Sequence, residues 1–183
     1  KFPENFNVSV RSLLDRFQID EKQSAYMGNN ARKIFDVLKP MHKLDDKFGT
    51  FLVVASKLHS IGSTLNFYKS NDNAFDFILN GLNYDFLHTS RVVVAHTIKF
   101  SKKSLPTKNE ILKYQDLLPS LEVMQWMSFM ISLNIAVNQD LSRPKAQYNL
   151  NGNILEIDLP NKSFLIESNI EKLETPEDLS IKI

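Results

Sequence analysis

The sequence predicts a mainly α fold, a helical bundle of residues 1–144 followed by a small C-terminal α/β appendage of residues 145–183. Three observations favour it. Apolar residues recur every three or four positions over most of residues 8–138, the period of helices with one buried face. The chain contains only five glycines, fewer than a turn-rich β protein usually needs. After Pro144 the pattern changes to the alternation of a strand.

Composition narrows the functional classes. The formal net charge is +1, so no general attraction draws the chain to nucleic acid or to an anionic membrane, and we expect neither partner. The absence of cysteine excludes disulfides, thiolate metal sites and cysteine nucleophiles. The start at Lys1 resembles no signal peptide, which predicts a fragment of a larger cytoplasmic protein.

Three helices are predicted in the first third of the chain, at about residues 8–17, 20–40 and 45–60. Asp20 and Gln23 form a capping-box pattern that opens the second helix, and Pro40 is expected to end it. The third helix closes on Leu58-His59-Ser60-Ile61-Gly62. Because glycine tolerates positive φ, Gly62 is expected to serve as the C-cap.

The middle of the chain predicts a loop at 63–71, then a short helix stopped by Gly81 and a longer one at about 84–100. A basic loop, 101–106, separates that helix from the capping-box pattern Thr107-Lys108-Asn109-Glu110. Asn71 or Asp72 is expected to cap the short helix.

The helix predicted at 119–138 is apolar nearly all round, so we expect it at the centre of the bundle. Polar residues interrupt its uncharged stretch 123–139, whereas a membrane-spanning helix needs roughly 20 mostly apolar residues. In the appendage, a Gly152 turn joins strands at 147–150 and 154–159. Residues 163–173 fit a strand or a helix, and 179–183 fit a short strand.

Histidines and carboxylates offer little for a metal centre. His88 and His96 are about 12 Å apart along one predicted helix, too far to share an ion. His42 is expected to be a solvated loop residue. His59, at an apolar helix end, is a weak metal-ligand candidate, and a hydrogen-bonded structural role is the stronger interpretation. The sequence also lacks the glycine-rich loops that bind phosphate chains. We predict no catalytic residue and no bound metal.

One electrostatic feature offers a binding site for a phosphate chain. Lysine and arginine side chains bind phosphates with strong salt dependence. The alternative is that these cations are only a solvated face of the domain. The candidate substrate-binding residues are Arg91, Lys99, Lys102 and Lys103.

The order of segments resembles the C-terminal region of the exopolyphosphatase/guanosine pentaphosphate phosphohydrolase family. The helix ending in Leu58-His59-Ser60-Ile61-Gly62 is similar to the family's alanine-rich helix with leucine-histidine-acidic-aliphatic-glycine at its end. The other stretches that carry the resemblance are the opening Arg16-Phe17-Gln18-Ile19-Asp20-Glu21-Lys22-Gln23-Ser24-Ala25, the short helix Phe75-Asp76-Phe77-Ile78-Leu79-Asn80, and residues 91–103 and 127–138.

The resemblance implies an HD-domain-like helical bundle that has lost most of its metal ligands. Ser60 stands where the family has the acidic residue, and the family's two later histidines are replaced near Ala74 and Ser101. It further implies that phosphoanhydride hydrolysis belongs to N-terminal actin-like domains of the same chain. This region would help bind polyphosphate or guanosine pentaphosphate and form homodimer contacts. No cofactor is implied for this region, and Mg²⁺ is a candidate for the full-length parent.

Two alternatives stay open from the sequence. One is an autonomous metal-dependent HD phosphohydrolase that uses His59 in an unusual site. The other is a purely structural interaction module, whose packing surfaces would be the apolar helix 119–138 and the appendage.

Overall fold

The computed structural model describes residues 8–64, 67–82, 86–160 and 163–183, and this part of the chain is mainly helical with a small C-terminal sheet. The prediction of a mainly α fold is confirmed. The α-helices are α1 (Val8–Arg16), α2 (Glu21–His42), α3 (Asp46–Leu58), α4 (Ser70–Gly81), α5 (His88–Lys99), α6 (Lys108–Leu112), α7 (Leu121–Val137) and α8 (Phe164–Ile170). The strands are β1 (Gln147–Asn151), β2 (Ile154–Asp158) and β3 (Ser180–Lys182).

Side-chain caps set several helix starts as the sequence predicts. The Asp20 carboxylate accepts the Gln23 amide hydrogen at 2.6 Å at the start of α2, and Thr107 and Glu110 form the expected capping box of α6. Pro40 does not end α2, which continues to His42 and stops where Lys43 takes φ of 52°. Pro40 has no N–H to donate to the carbonyl four residues earlier, so α2 loses one hydrogen bond there and ends two residues later. The start of the helix predicted at 84–100 falls partly on 84–85, which lie outside the described residues.

The turn after α3 differs from the prediction. The chain continues from Leu58 into a 3₁₀-helix, His59–Thr64, and Gly62 does not take a positive φ. Glycine is required there because a Cβ would overlap the Ser70 carbonyl at the start of α4. Neither Asn71 nor Asp72 caps α4. Lys69 occupies the N-cap position without a side-chain bond.

Helix α7 lies at the centre, as predicted from its apolar sequence. Trp126, Met127, Met130 and Leu133 are fully buried, and α7 packs on α2, α3, α5 and α8. In the described part of the chain, no helix is long and apolar enough to cross a bilayer.

The appendage forms a three-stranded sheet with the order β1-β2-β3. A tight turn with Gly152 at φ of 62° joins β1 to β2 in antiparallel register, and α8 carries the chain across to β3, which is parallel to β2. Residues 163–173, left open between strand and helix, contain α8. Its buried residues Ile166 and Ile170 lie on one face of the helix.

One hydrophobic core spans the predicted boundary near Pro144. It joins bundle residues such as Phe35 and Trp126 to Leu155 and Ile166 of the appendage. A buried polar cluster lies at the same junction. Asn30 of α2 donates to Asn134 of α7 at 2.9 Å and to the Tyr148 hydroxyl of β1 at 2.8 Å.

Candidate functional site

The basic loop 101–106 is held by the end of α5 and by α7. The Ser101 hydroxyl donates to the Ile98 carbonyl at 2.6 Å, and the Ser128 hydroxyl of α7 donates to the Phe100 carbonyl at 2.5 Å. From α4, the Asn71 amide donates to the Ser101 carbonyl at 3.1 Å. The Ile98 and Phe100 carbonyls also accept backbone N–H groups, from Ser101 at 3.0 Å and from Lys102 at 2.7 Å, so side chains and backbone together hold the start of the loop.

Glu174 holds the same loop from the other side. Its backbone N–H donates to the Lys103 carbonyl, and its carboxylate accepts the Leu105 amide hydrogen, both at 2.8 Å. The loop is therefore fixed between the bundle and the appendage, and the Lys102 and Lys103 side chains project from a positioned backbone.

A shallow groove of about 140 Å³ opens beside the loop, and Lys102 and Lys103 form its basic rim. The Ser132 hydroxyl at this groove is buried and has no hydrogen-bond partner in the described part of the chain. The other lining residues are Ser101, Ile135, Ala136, Gln139, Asn169 and Leu173.

The acidic residues around the loop compete only weakly for its cations. Lys102 lies 3.9 Å from the Glu110 carboxylate, and both side chains are largely exposed. Exposed ion pairs of this kind contribute about 0–1 kcal/mol, so an incoming phosphate can replace the carboxylate. Within the described ranges, no carboxylate lies within 4.0 Å of the Lys103 ammonium.

Arg91 and Lys99 belong to a different surface, the face between α4 and α5. The Lys99 ammonium lies 4.5 Å from the centre of the Phe75 ring and 3.8 Å from the Asp72 carboxylate. Arg91 donates to the Leu79 carbonyl at 3.4 Å, at the end of α4. Of the four predicted substrate-binding residues, only Lys102 and Lys103 line the groove.

His59 is hydrogen-bonded within its own helix end. Its Nδ1 lies 2.8 Å from the Ser56 carbonyl, so Nδ1–H is the donor. Burial is the main cause that lowers the pKa of His59, and the bond to Ser56 opposes it. Across the described residues, no three histidine, aspartate or glutamate side chains converge to hold a metal ion.

Close packing occupies the space after His59. Ala74 is fully buried, and the Asn73 amide donates to the Gly62 carbonyl at 3.3 Å. Because α4 lies directly against the 3₁₀ turn at Gly62, this end of α3 is filled by backbone contacts.

The prediction of a solvated His42 is wrong. Its side chain is 4% exposed and lies against the rings of Phe35 and Trp126. Nε2–H donates to the Phe35 carbonyl at 2.9 Å and Nδ1 accepts the Leu44 amide hydrogen at 2.9 Å, which fixes the neutral tautomer. Desolvation is the main cause that lowers the pKa of His42. Through these two hydrogen bonds, His42 connects α2 to the loop that follows it.

His96 is also buried, among the rings of Phe75, Phe100 and Tyr114 at 4.4–5.5 Å between centroids. Its Nδ1 bonds the Val92 carbonyl at 2.8 Å, and burial lowers the pKa of His96 to about 4. An imidazole kept neutral in an aromatic cluster serves packing.

Sequence reasoning did not single out Ser132, Asn169 or Glu174. Ser132 was visible as a polar residue in an apolar helix, the pattern of a hydroxyl that faces a groove or a partner. Asn169 and Glu174 join the site through the return of the appendage over α7, which a one-dimensional pattern does not contain.

Comparison with known proteins leaves the family open. No protein-family model matches the chain, and no curated protein matches it either. The family resemblance therefore stays a prediction that rests on the order and spacing of the segments.

Proposed function

We propose that this chain is a non-catalytic, HD-domain-like accessory domain of a phosphoanhydride hydrolase of the exopolyphosphatase/guanosine pentaphosphate phosphohydrolase type. It helps bind the phosphate chain of polyphosphate or guanosine pentaphosphate and forms contacts between subunits of a homodimer. Hydrolysis is carried out by actin-like domains of the kind that the resemblance implies.

The observation that carries the binding role is the pair Lys102 and Lys103 at the rim of the groove beside α7 and α8. Both side chains are exposed. Glu174 fixes the backbone at Lys103, and the Lys102 N–H donates to the Phe100 carbonyl at 2.7 Å. Fixed backbone and mobile ammonium groups suit a ligand whose phosphates repeat along a flexible chain.

The test measures polyphosphate binding to the chain at several salt concentrations. We expect binding that weakens steeply with salt, because condensed counterions are released on association. Replacing both lysines, K102A and K103A, is expected to weaken binding about tenfold, since each exposed contact is worth roughly 0.7 kcal/mol.

The matched control is K22A with K33A, two exposed lysines of α2 whose loss changes the net charge equally. We expect this control to bind almost as tightly as the unmodified chain. Salt-insensitive binding, no binding at all, or an equal loss in the control would each contradict the binding role.

A purely structural module is the second candidate. It is favoured by the contacts that hold the loop from both sides, Glu110 to Lys102 and Glu174 to the backbone at Lys103 and Leu105. If the chain is a purely structural module, the lysines are only solvent-exposed residues of the loop, and oligomers form with no phosphate ligand.

A further inference from the structure

The outer edge of β1 is open in the described part of the chain. The order β1-β2-β3 places β1 at one margin of the sheet and β3 at the other. β3 has three residues and carries Lys182, which makes it a short, charged edge. β1 is longer, and its register with β2 is one-to-one without a bulge. Short strands, charges, prolines and bulges are the devices that protect sheet edges.

The pattern of backbone hydrogen bonds between the strands identifies which N–H and C=O groups of β1 point away from the sheet. The Asn153 carbonyl accepts the Ser180 amide hydrogen at 2.9 Å, toward β3. The N–H and C=O groups of successive residues in a strand point to opposite sides. The backbone groups of Ile154, Glu156 and Asp158 therefore point toward β1. Their register partners on β1 are Asn151, Asn149 and Gln147. Tyr148 and Leu150 therefore direct their N–H and C=O groups to the open edge.

The sequence of β1 complements itself about Asn149. Antiparallel pairing with a second copy around this centre places Tyr148 opposite Leu150 and Gln147 opposite Asn151. The outward groups of Tyr148 and Leu150 are then the ones that bond, giving four backbone hydrogen bonds. No charged residue opposes another, since β1 contains none.

The side chains support the same pairing. Tyr148 and Leu150 are half-buried and lie beside Ile157 and Leu155, which are buried on the core face of β2. In the paired arrangement each would cover the exposed part of the other, which extends the apolar face across the two-fold axis.

We propose that a second copy of this chain binds antiparallel along β1, with Asn149 at the two-fold axis, so that two three-stranded sheets form one six-stranded sheet. The proposal rests on the subunit contact of the proposed function and is independent of its phosphate-binding part.

The register is tested by disulfide trapping, because the chain has no cysteine of its own. In the proposed dimer, Asn149 faces its copy as a non-hydrogen-bonded pair with Cα atoms about 4.5 Å apart, within disulfide range. Mild oxidation of N149C should therefore give a linked dimer. The matched control, Q147C, should stay unlinked, since its copy lies four residues away, about 13 Å.

Sedimentation gives the independent measurement. L150P removes two symmetry-related hydrogen bonds at an edge where the monomer does not use the N–H, so the dimer Kd should rise about 30-fold. If circular dichroism shows that L150P is unfolded, N149K replaces it. Within the monomer the new lysine lies opposite Glu156, which tolerates it, but across the axis it lies opposite the same lysine of the second copy. The two like charges should raise the dimer Kd.

S180K, on the opposite edge, is the control and should leave the dimer Kd unchanged. A dimer in which N149C and Q147C link equally, or not at all, overturns the β1 register and leaves the phosphate site untouched. A chain that is monomeric at high concentration overturns both the register and the subunit contact of the proposed function.

Discussion

Gly62 brings two backbone segments closer together than any residue with a side chain would allow. A Cβ there would overlap the Ser70 carbonyl and lie 2.6 Å from the Ala74 nitrogen. Backbone at both positions is fixed by α4, so neither neighbour can move away cheaply. The glycine therefore sets the distance between the His59 turn and α4.

We expect Gly62→Ala to lower the free energy of unfolding by about 2 kcal/mol or more, because overpacking a fixed contact costs this much. Gly28→Ala is the matched control. The atoms nearest to its Cβ belong to the Lys57 side chain, with Cε at 2.7 Å and Cγ at 3.2 Å, and this flexible side chain can move. Alanine favours the helix by about 1 kcal/mol. Urea unfolding of both variants measures the difference. Equal stabilities would contradict the close-approach role of Gly62.

The sequence identifies Gly62 as important but for another physical reason. A glycine after an apolar helix usually marks a left-handed C-cap, and no local pattern reveals that α4 returns to this point. His42 shows the same limit. Trp126, one of the rings that bury it, lies 84 residues away along the chain, a contact that no local pattern around His42 reveals.

At the scale of elements, Glu174 connects the basic loop to the appendage. Its carboxylate and its backbone N–H bond opposite ends of the segment Lys103–Leu105. A hydrogen bond that a backbone N–H donates to a charged acceptor is stronger than one to a neutral acceptor. The loop is thus held by an element that follows it by about 70 residues, which loop composition does not predict.

Replacing Glu174 by alanine should release the Leu105 amide. We expect faster hydrogen exchange at Leu105 and a stability loss of about 1–2 kcal/mol, somewhat below the usual value for a bond to a charged group because this bond is exposed to solvent. Glu174→Gln keeps an acceptor oxygen and should restore most of the protection. Unchanged exchange at Leu105 in the alanine variant would show that the carboxylate does not hold the loop.

Helices with strong patterns were predictable from sequence. α7 follows from its apolar composition, and α2 and α6 follow from their capping residues. Whether residues 163–173 form a helix or a strand was not predictable from sequence. The seven residues of α8 fit the periodicity of both, and only packing on α7 decides in favour of the helix. In the candidate site, charge patterning identified Lys102 and Lys103. It also selected Arg91 and Lys99, which face α4.

At the scale of the whole molecule, buried neutral histidines tie stability to pH. Burial lowers the pKa values of His42, His59 and His96 below 6.5. In the unfolded chain these groups bind protons near pH 6.5, whereas the folded chain resists protonation. The unfolded state therefore binds more protons in acid, and stability falls as pH falls from about 6.5 toward about 4.

His96→Phe should reduce that acid dependence. Folding lowers the pKa of His96 from 6.5 to about 4, so this residue alone should reduce the free energy of unfolding by roughly 3 kcal/mol between pH 6.5 and 4. Phenylalanine preserves the aromatic cluster without a group that protonates. Unfolding free energies measured across this pH range should fall less steeply in the variant than in the unmodified chain. An unaltered slope in His96→Phe would contradict this account.

The contact between Asn30 and Tyr148 also has a consequence for synthesis. The two residues are 118 positions apart, and each helps bury the other's polar group at the junction of α2 and β1. A ribosome adds about 5–20 residues per second, so Tyr148 is synthesised about 6 to about 24 s after Asn30. During that interval the Asn30 amide lacks the Tyr148 hydroxyl, so the junction of α2 and β1 cannot be completed until β1 has been made.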